Sequence, residues 1–295
     1  MLSDEDPLLK ETGVFHGKHI TRRRIFQDRS ERACDQGKRP MRVISIAPTH
    51  TETIAALGAL DALVGVSEDC DFPEDVRRCK TYGSWASPDV HAICRDAPDL
   101  VCTFGRHHQD VASWLQTQAI PVFHSDPETV SEALQDIVLL ATRLGRSEDG
   151  QRLVARLEAR MRRIDRQTEQ IPTERRPKIF RLMQWNPLIT VGPGAFQYDV
   201  IHRAGGINFL GEGAPPYAKV SHEAVVAWDP DLVFLCEPSL EALLRRDPRW
   251  RNSAAVRTGR VFLFPCGLTC RAGPRIVDMA EQLGRLVQDW VQQGS

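Results

Sequence analysis

Short apolar runs alternate with stretches of helical periodicity along most of the chain. Arg42 to Ala47 is β-rich. Pro48-Thr49-His50-Thr51-Glu52 then interrupts, and Ile54, Leu57 and Leu60 follow at helical spacing. Thr49 and Glu52 stand at capping-box separation, which predicts a capped helix start facing whatever lies beyond the strand. Leu63 to Val66 predicts a second strand, and Asp99 to Phe104 a strand covered on both faces, because its apolar run does not alternate. A helix around Val111 to Thr117, a strand at Pro121 to Phe123 and a strongly amphipathic helix from Val130 to Leu144 complete a βα succession, the pattern of a mostly parallel sheet.

Gly150 to Gln170 carries Leu153, Leu157, Met161 and Ile164 at helical spacing on an otherwise charged segment. It predicts a stiff connecting helix of about 30 Å at ~1.5 Å per residue. Beyond it the βα logic repeats: a strand from Lys178 to Met183, a turn at Asn186-Pro187, a helix near Tyr198 to Ala204, a strand from Gly259 to Phe264 and a closing helix from Pro274 to Gln293. Pro98-Asp99-Leu100-Val101 and Pro230-Asp231-Leu232-Val233 fall at the same point of the two halves, each between a helix and a strand. The expected fold is therefore α/β, two lobes with mostly parallel sheets joined by a single long helix. The lobes are placed at 41–146 and 172–295, the connecting helix at 147–171 and a mobile extension at 1–40.

Composition narrows the partners. The 295 residues are 42% hydrophobic and 26% charged with a net charge of -1, which carries no electrostatic footprint for nucleic acid, and no apolar run is long enough to form a transmembrane segment. The first forty residues open on Ser3-Asp4-Glu5-Asp6 and hold Arg22-Arg23-Arg24 where a signal peptide has its apolar stretch, so a cytoplasmic location is expected. Met41, directly before the first strand, offers an alternative translation start; a mis-assigned start or leader would make the protein periplasmic or cell-surface. The eight cysteines read as reduced thiols, with Cys94, Cys102 and Cys236 buried among apolar neighbours.

Ligands of open α/β sheets sit beyond the carboxyl ends of strands. The loops there hold Pro48, His50, Asp69, Trp85, Phe104, His107, Trp185, Tyr217 and Arg271, an aromatic set with a few polar anchors that suits a bulky amphipathic molecule. Cys266 and Cys270 can present two thiolates on one helical turn, a weak metal signal without a second pair. No nucleophile elbow, phosphate-binding loop, His-Glu-x-x-His or dinucleotide fingerprint occurs, so no enzymatic activity and no catalytic cofactor are expected.

Val43 to Glu52, Leu57-Gly58, Val64 to Ser67 and Cys70-Asp71-Phe72-Pro73, followed by Ala204 to Asn208, Val220 to Glu223, Asp229-Pro230-Asp231, Asp247 to Trp250 and Gly273-Pro274-Arg275, resemble the vitamin B12-binding branch of the ABC-transporter substrate-binding proteins. The resemblance runs from about Arg42 to Leu286. It implies cobalamin or a related corrinoid, siderophore or haem held in a cleft between two lobes. The cleft would be lined by Pro48, Asp69, Cys70, Trp85, Phe104, Trp185, Tyr217 and Arg271, with His50 or His107 offering an axial nitrogen. It also implies an acidic residue on each lobe to dock on a permease. Glu223 fits that place in the second lobe, but the first-lobe counterpart is His91, which weakens the permease contact. Two other readings stand beside corrinoid binding: metal or metal-tetrapyrrole handling through Cys70, Cys266, Cys270 and histidines, and exported delivery to a transporter.

Overall fold

The computed structural model describes residues 39–293; the extension predicted for 1–40 falls almost wholly outside them. In chain order the first lobe contains β1 (Val43–Ser45), α1 (Pro48–Ala56), β2 (Leu63–Val66), β3 (Lys80–Thr81), α2 (Val90–Asp96), β4 (Leu100–Phe104), α3 (Gln109–Thr117), β5 (Val122–Ser125) and α4 (Val130–Arg143). A long helix, α5 (Ser147–Glu169), leads into β6 (Lys178–Arg181), β7 (Leu188–Val191), α6 (Phe196–Arg203), β8 (Ile207–Asn208), β9 (Tyr217–Val220) and α7 (His222–Trp228). The second lobe is completed by β10 (Leu232–Leu235), α8 (Pro238–Arg246), α9 (Ala254–Arg257), β11 (Val261–Leu263), α10 (Cys266–Thr269) and α11 (Ile276–Gln293).

The first lobe carries a parallel sheet in the order β3-β2-β1-β4-β5, the second a parallel sheet β11-β10-β6-β8 with a small antiparallel pair, β7-β9. The repeated tetrapeptide has a mechanical reason. In each lobe a seven-residue helix, α2 or α7, ends in a left-handed residue, Ala97 or Asp229, and turns the chain into an interior strand, β4 or β10. The aspartate of each repeat then ties down the strand alongside. Asp99 Oδ2 accepts the Arg42 amide at 2.9 Å, and Asp231 Oδ2 accepts the Lys178 amide at 2.8 Å. The basic side chains of Arg42 and Lys178 reach back to the last helical carbonyls, Asp96 O and Trp228 O, at 2.8 Å each. One local solution to strand entry is thus used twice.

The predicted stripe of the connecting helix is buried, with Leu153, Leu157, Met161 and Ile164 all below one-tenth exposed. It packs α5 against α4 on one side and α11 on the other, in one apolar cluster that includes Leu134, Ile137, Leu283 and Val287. Gly150 permits the close approach to α4: a Cβ there would lie 2.4 Å from the Cβ of Ala141. Ion pairs flank the seam, Arg160 with Glu281 and Asp278 of α11, and Arg203 of α6 with Asp165. The predicted capping box does not form. Ala47 is the N-cap without a side-chain bond, Pro48 takes the first turn, and Glu52 is drawn elsewhere.

Candidate functional site

The carboxyl ends of both sheets face one another. α1, at the end of β1, presents Glu52, whose side chain is only 2% exposed and is clamped by two arginines from the opposite lobe. Arg271 Nη1 donates to Oε1 at 2.6 Å, and Arg275 donates through Nε to Oε2 at 2.8 Å and through Nη2 to Oε1. Arg271 also donates to Asp71 and to the Asp69 carbonyl, and the Arg275 guanidinium lies over the ring of Phe72, 4.2 Å from its centroid. A Cβ on Gly273 would stand 3.0 Å from the Thr49 carbonyl oxygen, a tight contact that glycine avoids. Arg271, expected to meet a ligand, is therefore engaged as a strut between the lobes.

Beside the strut each lobe carries a tryptophan loop, and both are braced in the same way. In the first lobe His108 Nδ1 accepts the Phe104 amide and Nε2 donates to the Trp85 carbonyl at 2.6 Å. In the second, His222 Nδ1 accepts the Trp250 indole N–H at 3.0 Å and Nε2 donates to the Trp185 carbonyl at 3.1 Å. Both imidazoles are thereby fixed as neutral Nε2–H tautomers, and burial lowers their pKa, that of His108 to about 4. The exposed His107 stacks on Trp85 with centroids 4.7 Å apart, and its Nε2 meets the Ala86 carbonyl. His107 and His108, read from the sequence as independent loop residues, both hold the Trp85 loop.

Tyr217, at the start of β9, is 45% exposed. Its hydroxyl feels Asp126 and Arg106 of the first lobe together with Cys270 and Arg181 of the second, and its pKa is raised, first by loss of solvent around the hydroxyl and then by Asp126. Pro48, Trp85, Phe104 and Trp185 are half-buried at loop ends, and Asp69 is exposed, accepting the Trp85 amide. Two expected contacts do not reach this space. His50 is 2% exposed, with Nε2 3.1 Å from the Thr103 carbonyl and 3.2 Å from the Ser125 hydroxyl, and burial pushes its pKa down to about 3. Cys70 is 4% exposed, against Thr51 and Ser67, with its thiol pushed up by burial. Both belong to the core under α1, because the helix lies flat on the sheet and covers them.

Cys236 corrects the sequence reading. It is not a core thiol but follows β10 directly and meets Cys266 and Cys270 at the two ends of α10, all three Sγ atoms lying within 4.8 Å of one another. The buried Arg181, last residue of β6, donates from Nη2 to Cys236 at 3.3 Å and to Cys270 at 3.8 Å. Hydrogen bonds from Cys266 and Cys270, and then Arg181, hold Cys236 far below the ordinary thiol range, while Cys266 is pushed up as the proton-bearing partner. Sequence spacing could not join Cys236 to the pair, but a lone arginine inside the apolar run Ile179 to Met183 was a visible signal.

At the periphery, Glu223 pairs with Arg249 at 2.9 Å and stays 69% exposed. Asp89 and Ser221 are the N-caps of α2 and α7, so His91 and Glu223 occupy the same helical position in the two lobes. Two surface hollows of about 370 and 510 Å³ lie along α5, and neither is lined by a residue of the carboxyl-end loops.

The chain is similar to known proteins in sequence and in fold. The vitamin B12-binding protein of Photorhabdus laumondii is 28% identical over 254 residues, 85% of this chain and 89% of that protein. That of Vibrio cholerae is 27% identical over 248 residues, 82% and 87% of the two chains. Among solved structures, the periplasmic vitamin B12 binding protein BtuF of Vibrio cholerae superposes with a TM-score of 0.73 at 24% identity, covering 84% of this chain and 97% of that one. The periplasmic heme-binding protein RhuT from Roseiflexus sp. RS-1 gives 0.75 at 23%, covering 86% and 100%. The family model described as periplasmic binding protein matches residues 43–266, and the chain belongs to that family.

Proposed function

We propose that the protein is a non-enzymatic receptor for a corrinoid of the cobalamin type, held between lobes formed by residues 41–146 and 172–295 on either side of the connecting helix at 147–171. The observation that carries this reading is the pair of histidine-braced tryptophan loops, one per lobe, at the carboxyl ends of the sheets. Flat aromatic surfaces at Trp85, Phe104, Trp185 and Tyr217 suit a broad macrocycle, while Asp69 and the rim of Pro48 offer polar and backbone contacts to its periphery. His107, exposed against Trp85 and with Nε2 held by the Ala86 carbonyl, is the histidine that could offer an axial nitrogen, through Nδ1. The relatives named for vitamin B12 support a corrinoid over haem, since they align over more than four-fifths of the chain, whereas the haem-binding neighbour is alike in fold alone.

The relatives' names support the exported alternative rather than the cytoplasmic expectation. Delivery to an ABC permease through Glu223 is part of that alternative; with histidine at the matching first-lobe position, the contact would be lopsided. Titration of the purified protein with hydroxocobalamin and cyanocobalamin, followed by visible spectra and calorimetry, tests the reading. Binding tighter than about 100 μM, about -5.5 kcal/mol, supports it. Weaker binding, or haem bound more tightly than either corrinoid, overturns it.

A further inference from the structure

The three thiols at the exits of β10 and β11 have no part in the corrinoid reading, and they come from two separate points of the chain. Cys236 leaves β10, while Cys266 and Cys270 are joined by the α10 turn, with the Cys270 amide donating to the Cys266 carbonyl at 2.9 Å. The Cys236 and Cys270 sulfurs stand 3.8 Å apart. Two thiolates bound to one tetrahedral ion at ~2.3 Å are separated by about 3.8 Å, so this edge already has the spacing of a thiolate metal site.

A second observation is independent of the sulfurs' spacing. Arg181 is 1% exposed; it donates to the Leu182 carbonyl, Cys236 and Cys270, and its guanidinium lies over the Phe234 ring, 5.2 Å from the centroid. Its Nε has no partner, and among the described residues no carboxylate pairs with it. A buried guanidinium requires a compensating anion, and the thiolates are the anions within reach. Around the other side Cys266 and Cys270 are exposed, which gives an ion a route in from solvent.

We propose that Cys236, Cys266 and Cys270 form a three-thiolate site for a thiophilic closed-shell cation, zinc being the reference ion, with a fourth coordination position open toward solvent. Zinc imposes no directional preference of its own and takes sulfur ligands readily. Three protein ligands and one open position are the arrangement of an exchangeable or reactive zinc site, not of a sealed structural one. The metal replaces the thiol protons on binding, and these leave to solvent. Arg181 is a positioning residue, keeping sulfur anionic without touching the ion. The site is separate from the corrinoid reading and stands or falls without it.

The test uses the full chain, reduced and freed of metal by chelator, then dialysed against zinc chloride alone; no corrinoid enters. Elemental analysis is expected to give about one zinc per chain. Competition with a chromophoric chelator should show at least tenfold weaker binding in Cys236→Ser, Cys266→Ser and Cys270→Ser, and unchanged binding in Cys94→Ser. In the wild-type protein, zinc should shield Cys266 and Cys270 from alkylation mapped by mass spectrometry, a measurement that needs no variant to fold. Absence of zinc from the fully reduced protein, zinc retained by the Cys236→Ser/Cys270→Ser double variant, or alkylation of Cys266 and Cys270 unaffected by zinc would each overturn the proposal.

Discussion

The strut between the lobes makes a sharp prediction. Glu52→Gln keeps the volume of the side chain but removes the charge that Arg271 and Arg275 share, and it turns an amide donor toward an arginine donor. Leaving one side of a buried ion pair uncompensated costs about 3–5 kcal/mol. Here Arg271 keeps Asp71 and the Asp69 carbonyl, and the Arg275 side chain is 25% exposed, so part of the loss is recovered by these partners and by water. The expected destabilisation is therefore about 2–3 kcal/mol. At roughly 2–4 °C per kcal/mol for a chain of this size, the melting temperature should fall by about 5–10 °C. Calorimetry of the wild type, Glu52→Gln, Arg275→Met and the double variant closes a cycle whose coupling should exceed ~1 kcal/mol. A melting point within about 1 °C of the wild type, or additive single losses, would show that the clamp contributes nothing net.

Acid should weaken the fold ahead of general carboxylate protonation. His50 and His108, with native pKa values of about 3 and 4, stay neutral in the folded chain but protonate in the unfolded one below 6.5, so stability is lost as pH falls through that value. At pH 5.0 each costs about 2 kcal/mol and Asp136, raised to about 6 by burial, returns roughly 1, so denaturant titration should find ~3 kcal/mol less than at pH 7.5, and equal stability at both would refute this. Asp99→Ala and Asp231→Ala should each cost about 1.5–2 kcal/mol in urea unfolding, because each removes the same strand-entry bond; a neutral result at either site would break the equivalence. Trp85→Ala should weaken cyanocobalamin binding at least tenfold, ~1.4 kcal/mol, while zinc uptake stays unchanged; unaltered corrinoid affinity would remove Trp85 from the site.

The fold was legible where one stretch of sequence decides one element. The unbroken apolar runs at Leu100 to Phe104 and Leu232 to Leu235 can only be covered strands, and the narrow stripe of α5 can only be a packed helix. The site was legible in part, because loops at the carboxyl ends of strands can be located without knowing what packs on them. What stayed hidden depends on distant partners. Glu52 meets arginines more than two hundred residues away, so its local spacing to Thr49 misled. His50 and Cys70 are polar residues near a break and read as exposed, but the flat seating of α1 removes both from water. Cys236 lies among apolar neighbours in sequence and joins the other thiols only because β10 and β11 are adjacent in the sheet. The mirrored histidine braces needed both loops in view at once.

The helix sandwich of α4, α5 and α11 bears on how such a receptor meets its cargo. One apolar cluster runs through all three, so a wide hinge opening would expose buried side chains along the seam, a penalty that grows with the angle. On the proposed function, encounter should proceed by near-rigid docking, and the association rate should vary little among cargoes of similar size and charge. Discrimination would reside in residence time, and small-angle scattering should give nearly the same radius with and without cargo.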